Sequence, residues 1–204
     1  VMVLCGDTPL LKETTLKKLY DYHREAKAVT TILTSFYENP FGYGRVVKEN
    51  GRVIGIIEEK EATDEVKAIK EVNAGVYCFE ARELLSALER IDNKNEKGEY
   101  YLTDVVGINV KDGKKVEAFL LEDNDEILGI NSKIELEKAN YIMRDRINTK
   151  HMENGVIFID KNTAYIEESV EIGQDTIIYP GVLLQGDTKI GKNCEILGNT
   201  RVID

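Results

Sequence analysis

The sequence predicts an α/β domain on a mixed, mostly parallel sheet, followed by a helical arm and the first coils of a parallel β-helix. Three observations carry this expectation. Strand and helix signals alternate over residues 1–130, the pattern of a sheet covered by helices. Ser132-Lys133-Ile134-Glu135 has the Ser-x-x-Glu spacing of a capping box and opens a helical stripe of Leu136, Ala139, Met143 and Ile147. From there to the end, Ile166, Ile172, Ile178, Leu184, Ile190, Ile196 and Val202 recur every sixth position. A period of six is neither helical nor heptad, and it fits hexapeptide repeats that each supply one short strand with one inward aliphatic side chain. Four places after each of the first six stands a small or β-branched residue: Val170, Thr176, Val182, Thr188, Cys194 and Thr200.

The elements follow in order. Residues 1–5 form an apolar run ending at Gly6-Asp7, the signature of a buried parallel strand delivering a turn. Leu16, Leu19, Tyr20 and His23 mark one helical face, with Thr14 and Thr15 as candidate caps. Residues 28–36 are rich in Val, Thr and Ile and read as the next strand. Asn50-Gly51 between two β-branched runs predicts a hairpin over residues 45–57. Further strands are expected at 72–79, 116–121 and 127–130, and helices at 81–91 and 102–110. A helix over about 20 residues would span roughly 30 Å and end at Asn154-Gly155.

Bulk properties bound the function. With 42% apolar residues the chain suits a globular protein of one or two domains. Its formal charge of −10 argues against duplex nucleic acid or anionic membrane as partner, since both require a basic face. It also disfavours phosphorylated substrates unless a divalent cation mediates. No apolar run has transmembrane length. Cys5, Cys78 and Cys194 are widely separated in apolar stretches, so buried reduced thiols and the cytoplasm are expected. His23 and His151 show no zinc spacing and read as surface histidines. The final repeat stops at Asp204 without a polar cap, and Val1 opens inside an apolar run; the chain is therefore expected to be part of a longer one.

Ligands of open α/β sheets bind beyond the carboxyl ends of strands. Asp7 sits there, as a hard-cation ligand or a helix-capping turn residue, and Gly6 would let a ligand approach the backbone. Asn131 follows the expected strand at 127–130 and either completes a cation's coordination or merely ends the strand. Gly44 belongs to a backbone-lined pocket or a plain loop, and Glu58 begins a charged cluster of the kind usually found at a solvated edge. Asn73 and Gly75 inside an apolar strand point to a hydrogen-bonding role or a close ligand approach.

Taken together, Leu4-Cys5-Gly6-Asp7-Thr8-Pro9-Leu10, Gly42-Tyr43-Gly44-Arg45, Ile57-Glu58-Glu59-Lys60-Glu61-Ala62, Val72-Asn73-Ala74-Gly75, Gly98-Glu99-Tyr100-Tyr101-Leu102-Thr103-Asp104 and Gly129-Ile130-Asn131 precede the hexapeptide repeats. This order closely resembles the bacterial bifunctional UDP-N-acetylglucosamine pyrophosphorylase / glucosamine-1-phosphate N-acetyltransferase family, over the whole chain. The resemblance implies a partial uridylyltransferase domain with a Rossmann-like mixed sheet over residues 1–133. A helical linker over 134–154 and the first coils of a left-handed β-helix acetyltransferase domain over 155–204 would follow. It implies UTP and N-acetylglucosamine-1-phosphate as substrates and UDP-N-acetylglucosamine and pyrophosphate as products. Mg²⁺ would be held by Asp7 and Asn131. Gly44, Glu58, Asn73 and Asn131 would contact the nucleotide sugar, with Cys5, Gly6 and Asp7 on the segment that passes along it. Some members carry an aromatic where this chain has Cys5, which leaves a backbone contact there. Acetyl-CoA would serve a part beyond Asp204, in a homotrimeric parent. The present chain would then lack acetyl transfer and most uridylyl transfer. Two other readings fit the same architecture: a different sugar-1-phosphate nucleotidyltransferase with a β-helix tail, and a non-catalytic trimerising scaffold.

Overall fold

A computed structural model describes residues 1–95 and 98–204, which divide into two compact units, Val1–Gly129 and Ile130–Asp204. The first unit contains β1 (Met2–Val3), α1 (Glu13–Ala26), β2 (Thr30–Phe36), β3 (Arg45–Glu49), β4 (Arg52–Ile57), a single turn α2 (Asp64–Lys67), β5 (Glu71–Phe79), α3 (Ala81–Leu88), α4 (Asp104–Lys111) and β6 (Val116–Leu120). The sheet runs β4-β3-β5-β2-β6, with β1 also on β5. It is mixed, as expected, but not mostly parallel. Only β2–β6 is a parallel pair, while β1–β5, β2–β5, β3–β4 and β3–β5 are antiparallel. A parallel neighbour needs a long crossover, and between β2 and β5 the chain makes a hairpin and a single helical turn instead.

Successive β5 side chains alternate between the faces. Tyr77 and Phe79 join Ile32, Val46, Leu84, Ala87, Val105 and Val106 on the side covered by α3 and α4. Val72, Ala74, Val76 and Cys78 meet Leu19 of α1, Leu33 and Ile127 on the other. Each fully buried Leu, Ile or Val contributes roughly 1.5–3 kcal/mol over leaving it exposed. The hairpin forms as read: Asn50 (φ 50°) and Gly51 (φ 78°) are both left-handed, the requirement of a tight turn matched to strand twist.

Several expectations fail for local reasons. Strand β1 is two residues long, antiparallel and half-buried, with Val1 62% and Leu4 45% exposed. An apolar run signals burial but carries no information on a partner's direction. Helix α1 starts after Lys12, whose side chain makes no cap; Thr15 is buried and Tyr20 is exposed. No strand forms at 127–130. A 3₁₀ turn, Asn124–Ile127, takes its place, tied by Asn124 Nδ2 to the Phe36 carbonyl (2.7 Å) and by Tyr37 Oη to the Asn124 carbonyl (3.0 Å). Those polar bonds outcompete extension while Ile127 still reaches the core.

In the second unit, α5 (Lys133–Glu153) is followed by β7 (Ile157–Phe158), β8 (Tyr165–Ile166), β9 (Glu171–Ile172), β10 (Ile177–Ile178), β11 (Leu183–Gln185), β12 (Lys189–Ile190), β13 (Glu195–Ile196) and β14 (Arg201–Ile203). All pairs are parallel and form three sheets: β13-β10-β7, β14-β11-β8 and β12-β9. Ile166 lies over Leu184 and Val202, Ile172 over Ile190, and Ile178 over Ile196, a register of three hexads per coil. This is the start of a left-handed hexapeptide β-helix. Ile166, Ile178 and Leu184 are buried, and so are Val170, Thr176, Val182 and Thr188 four places after hexad positions. Buried Thr176 also joins successive coils, because its hydroxyl donates to the Gly191 carbonyl (2.8 Å) and accepts from the Cys194 amide (3.1 Å).

Helix α5 packs by its last turns. Ala139 and Ile147 are buried as expected, with Asn148 and His151, whereas Leu136 and Met143 are 46% and 38% exposed. Asn148 Nδ2 donates to the Lys161 (2.7 Å) and Ala164 (3.0 Å) carbonyls. Those carbonyls lie in the first coil, where Phe158 pairs with Ile178, twenty residues on rather than eighteen. The helix thus secures the one coil whose spacing departs from the repeat.

Neither histidine is a surface residue. His23 (4% exposed) shares a hydrogen bond of 2.8 Å between Nδ1 and Thr31 Oγ1, and His151 is 8% exposed. Burial pushes both imidazoles below the ordinary value of 6.5. The unfolded chain therefore takes up protons first as pH falls, so this stability is complete above about 6.5 and is lost below it. Urea midpoints should drop between about pH 7 and pH 5 in wild type and drop less in His23→Gln/His151→Gln; equal profiles would show that the imidazoles are not held neutral. Steric limits are as testable. A Cβ on Gly173 would lie 2.6 Å from the Gly191 carbonyl carbon and the Lys192 nitrogen, both backbone. Gly173→Ala should cost about 1–3 kcal/mol in urea unfolding, while Gly6→Ala, with open space around it, should change little.

Candidate functional site

The sequence-predicted residues Cys5, Gly44, Glu58 and Asn73 converge around one irregularity in β5. The β2–β5 register shifts between Ile32/Tyr77 and Thr34/Asn73, and Gly75 sits in the bulge at φ 73°. Asn73 spans it: the Gly75 amide donates to Asn73 Oδ1 (3.1 Å), and Asn73 Nδ2 donates to Tyr77 Oη (2.7 Å). Cys5 reaches the same place from the segment after β1, its Sγ donating to the Gly75 carbonyl (3.3 Å). A Cβ on Gly75 would sit 2.7 Å from that sulfur, and φ 73° is a conformation that favours glycine, so both space and backbone disfavour a larger residue there.

From the neighbouring strand, the Gly44 carbonyl accepts from the Asn73 amide (2.9 Å). A Cβ on Gly44 would come within 3.3 Å of Glu58 Oε2 and 3.1 Å of Ile56 Cγ2. Glu58 is half-buried, not a solvated edge, and its Oε1 accepts from Thr103 Oγ1 (3.0 Å) just ahead of α4. Burial, followed by the nearby Glu58 and Cys5, holds the Tyr77 phenol far above its ordinary value even though its bond from Asn73 opposes this. Beside Thr103 opens a cavity of about 660 Å³ lined in part by Ile56, Glu61, Arg90, Tyr101 and Asp104. Burial, then Glu61 and Asp92, raise the Asp104 carboxyl there.

Asp7 is exposed in the turn after Cys5; burial first, and then its charge, raise the Cys5 thiol. Cys5 itself is exposed rather than buried as expected, because the residues after Val3 leave the sheet; Cys78 is buried and Cys194 intermediate. Gly6 has open space around it. Asn131 belongs to the second unit, directly before α5. Ser132 Oγ accepts from the Glu135 amide (3.2 Å) as the capping box predicts, and Glu135 Oε2 reaches back to the Asn131 amide (2.8 Å). That bond, chiefly, lowers the Glu135 carboxyl. The Asn131 side chain is left exposed. Among the described residues no three His, Cys, Asp or Glu side chains converge as a metal cage, and no helix is long and apolar enough to cross a membrane.

Residue-type reasoning missed Tyr77, Thr103 and Arg45. Tyr77 was legible: positions 73, 75 and 77 alternate onto one face of a strand. Arg45 was not. It is 2% exposed, its Nη2 lies 2.7 Å from Glu59 Oε2 without an aligned hydrogen bond, Nη1 donates to the Tyr43 carbonyl, and Nε has no partner. This ion pair ties together the residues next to Gly44 and Glu58. Breaking a buried pair strands its other charge, so Arg45→Met should lower unfolding stability by about 3–5 kcal/mol, and Arg45→Met/Glu59→Leu should recover most of it. Additive losses in the double variant would refute the coupling.

Comparison with known proteins agrees with this layout. A family model described as nucleotidyl transferase matches residues 1–173, and one described as bacterial transferase hexapeptide (six repeats) matches residues 164–204. Bifunctional protein GlmU of Clostridioides difficile (strain 630) is 51% identical over 203 residues, covering 99% of this chain and 44% of that protein. Bifunctional protein GlmU of Caldanaerobacter subterraneus subsp. tengcongensis is 49% identical over 205 residues, covering 100% of this chain and 45% of that protein. The chain thus spans less than half the length of these curated relatives. A crystal structure from Bacillus anthracis, assigned as a glucose-1-phosphate thymidylyltransferase, superposes with a TM-score of 0.52 at 19% identity, covering 71% of this chain and 54% of that one; it shares the fold. With a nucleotidyl transferase match over residues 1–173 and hexapeptide repeats behind it, the chain belongs to the nucleotidyl transferase family.

Proposed function

We propose that the first unit serves uridylyl transfer from UTP to N-acetylglucosamine-1-phosphate, yielding UDP-N-acetylglucosamine and pyrophosphate. The observation that supports this reading is the convergence of Cys5, Gly44, Glu58 and Asn73 on the β5 bulge, four positions read from sequence as nucleotide-sugar contacts. Gly44 and Gly75 let Glu58, Ile56 and Cys5 close in against the backbone, which gathers the candidate contacts within one small area. Glu58 and Asn73 then offer a carboxylate and a carboxamide to sugar hydroxyl and amide groups. In the reaction the sugar phosphate's oxygen attacks the α-phosphorus of UTP, the new P–O bond forms, and the bond to pyrophosphate breaks. No protein nucleophile is needed, and binding residues work by positioning two anions that repel each other.

A divalent cation suits that difficulty. The resemblance in sequence names Asp7 and Asn131 as its ligands, a carboxylate and an amide whose oxygens are of the hard type Mg²⁺ prefers. The lack of a three-residue cage among the described residues is compatible with Mg²⁺, which commonly takes one or two protein oxygens and fills its other positions from phosphate and water. Bound there, the ion would neutralise phosphate charge and polarise the phosphoryl group. Cys5, Gly6 and Asp7 would run along the nucleotide sugar. The relatives' name, bifunctional, supports extending the proposal to the whole protein: acetylation of glucosamine-1-phosphate from acetyl-CoA by a β-helix domain, assembled as a homotrimer.

Thermal melting with UDP-N-acetylglucosamine tests the site. The melting temperature should rise with the ligand, rise further with Mg²⁺, and lose only the Mg²⁺ increment in Asp7→Ala or on adding EDTA. In a full-length protein, Asp7→Ala should abolish uridylyl transfer and spare acetyl transfer. Loss of both activities together would assign Asp7 to folding instead.

A further inference from the structure

We infer that Arg45 is a positioning residue for the nucleotide sugar: its buried ion pair with Glu59 clamps the open end of the β3–β4 hairpin and thereby fixes Gly44 and Glu58. The inference rests on the reading of Glu58 as a sugar contact.

The β3–β4 ladder ends at the pair Arg45 and Ile57. Gly44 and Glu58 lie one residue beyond it, where pairing between the two strands no longer sets their spacing. Yet that spacing is narrow, since a Cβ on Gly44 would come within 3.3 Å of Glu58 Oε2. The Arg45 guanidinium brackets both residues. Its Nη1 donates to the carbonyl of Tyr43, one residue before Gly44. Its Nη2 lies 2.7 Å from Oε2 of Glu59, one residue after Glu58. A planar fork reaches two acceptors in fixed directions, which suits it to hold two segments together.

Stability does not account for this pair. Arg45 is buried, its Nε has no partner, and Glu59 Oε2 accepts no aligned hydrogen bond. Apolar side chains of similar volume in place of such a pair commonly leave a protein equally or more stable. What they cannot supply is a directed contact to a carbonyl and a carboxylate at once. The consequence falls on Glu58. Thr103 Oγ1 occupies its Oε1 (3.0 Å), while its Oε2, beside the bare Cα of Gly44, accepts no hydrogen bond among the described residues. That oxygen is the one left to accept from a sugar hydroxyl, so its placement governs affinity. The Gly44 carbonyl is held towards β5 by the Asn73 amide (2.9 Å), and loosening of the hairpin end is legible at that bond.

Arg45→Met/Glu59→Leu removes the clamp and roughly keeps the volume. Without ligand, amide hydrogen exchange at Asn73 should speed up about tenfold in this apolar pair, the loss expected for one hydrogen bond. It should stay unchanged at Leu121, whose amide donates to the Thr34 carbonyl (2.8 Å) elsewhere in the sheet. By calorimetry on the full chain, the apolar pair should bind UDP-N-acetylglucosamine about tenfold more weakly, at an unfolding midpoint close to wild type. Arg45→Lys, which keeps the cation but not the fork, should lose only part of that, about threefold. An apolar pair that binds within about twofold of wild type would overturn the inference. So would affinity that falls only in step with the unfolding midpoint across both variants, because Arg45 would then be merely structural. A wild-type chain that does not bind the nucleotide sugar would overturn the proposed function and, with it, the positioning role.

Discussion

The bulge at Gly75 is the constraint on which the first unit depends. β5 pairs with β1, β2 and β3, so its course decides where three strands deliver their ends. An unbulged strand would satisfy the ladder to β2 and direct Asn73 along the sheet like any other side chain. Instead, glycine at φ 73° lets one extra stretch of β5 bow out, and the Asn73 carboxamide closes the gap with bonds on both sides. A Cβ at this position would lie 2.7 Å from the Cys5 sulfur, which would have to move. A left-handed glycine, a covering thiol and a bridging amide are therefore one arrangement, at the point where ligand contact is proposed.

Charge is handled in the same economical way. The chain has a formal charge of −10, and Arg45, Glu71 and Glu126, buried among the described residues, each carry a partner. Glu71 receives both Lys48 Nζ (2.6 Å) and Thr34 Oγ1 (2.8 Å), and Glu126 accepts the Lys12 amide (3.0 Å). Arg45 with Glu59 is less completely satisfied, which makes it weak support for stability and strong support for a fixed geometry beside Gly44 and Glu58. The exposed carboxylate of Asp7 belongs to none of these pairs.

In the second unit, order arises by a different route. Each coil covers the apolar edge of the one before, with backbone bonds such as Ile177 N–H to the Cys194 carbonyl (2.8 Å) running between coils. The first coil is the exception, and it is there that Asn148 and Ile147 of α5 make their contacts. The helix thus substitutes for a missing coil, by hydrogen bonds to carbonyls where a regular repeat would offer strand pairing.

The hexad tail, the Asn50-Gly51 hairpin and the Ser132 cap were determined by sequence alone, because each is a local signal: a neighbour is a fixed few residues away, or a fixed number of repeats. Most strands and helices of the first unit were legible for the same reason, through alternation and apolar spacing. Strand direction was not, since it depends on how the chain returns over long separations. Nor was the meeting of Cys5 with Gly75, seventy residues apart, or of Thr103 with Glu58. Sequence marked Cys5, Gly44, Glu58 and Asn73 as separate candidates. Only tertiary structure decided that they share one rim, and that Tyr77 and Arg45 hold it, because such contacts form when distant segments are packed into a common core and leave no periodic trace in the chain.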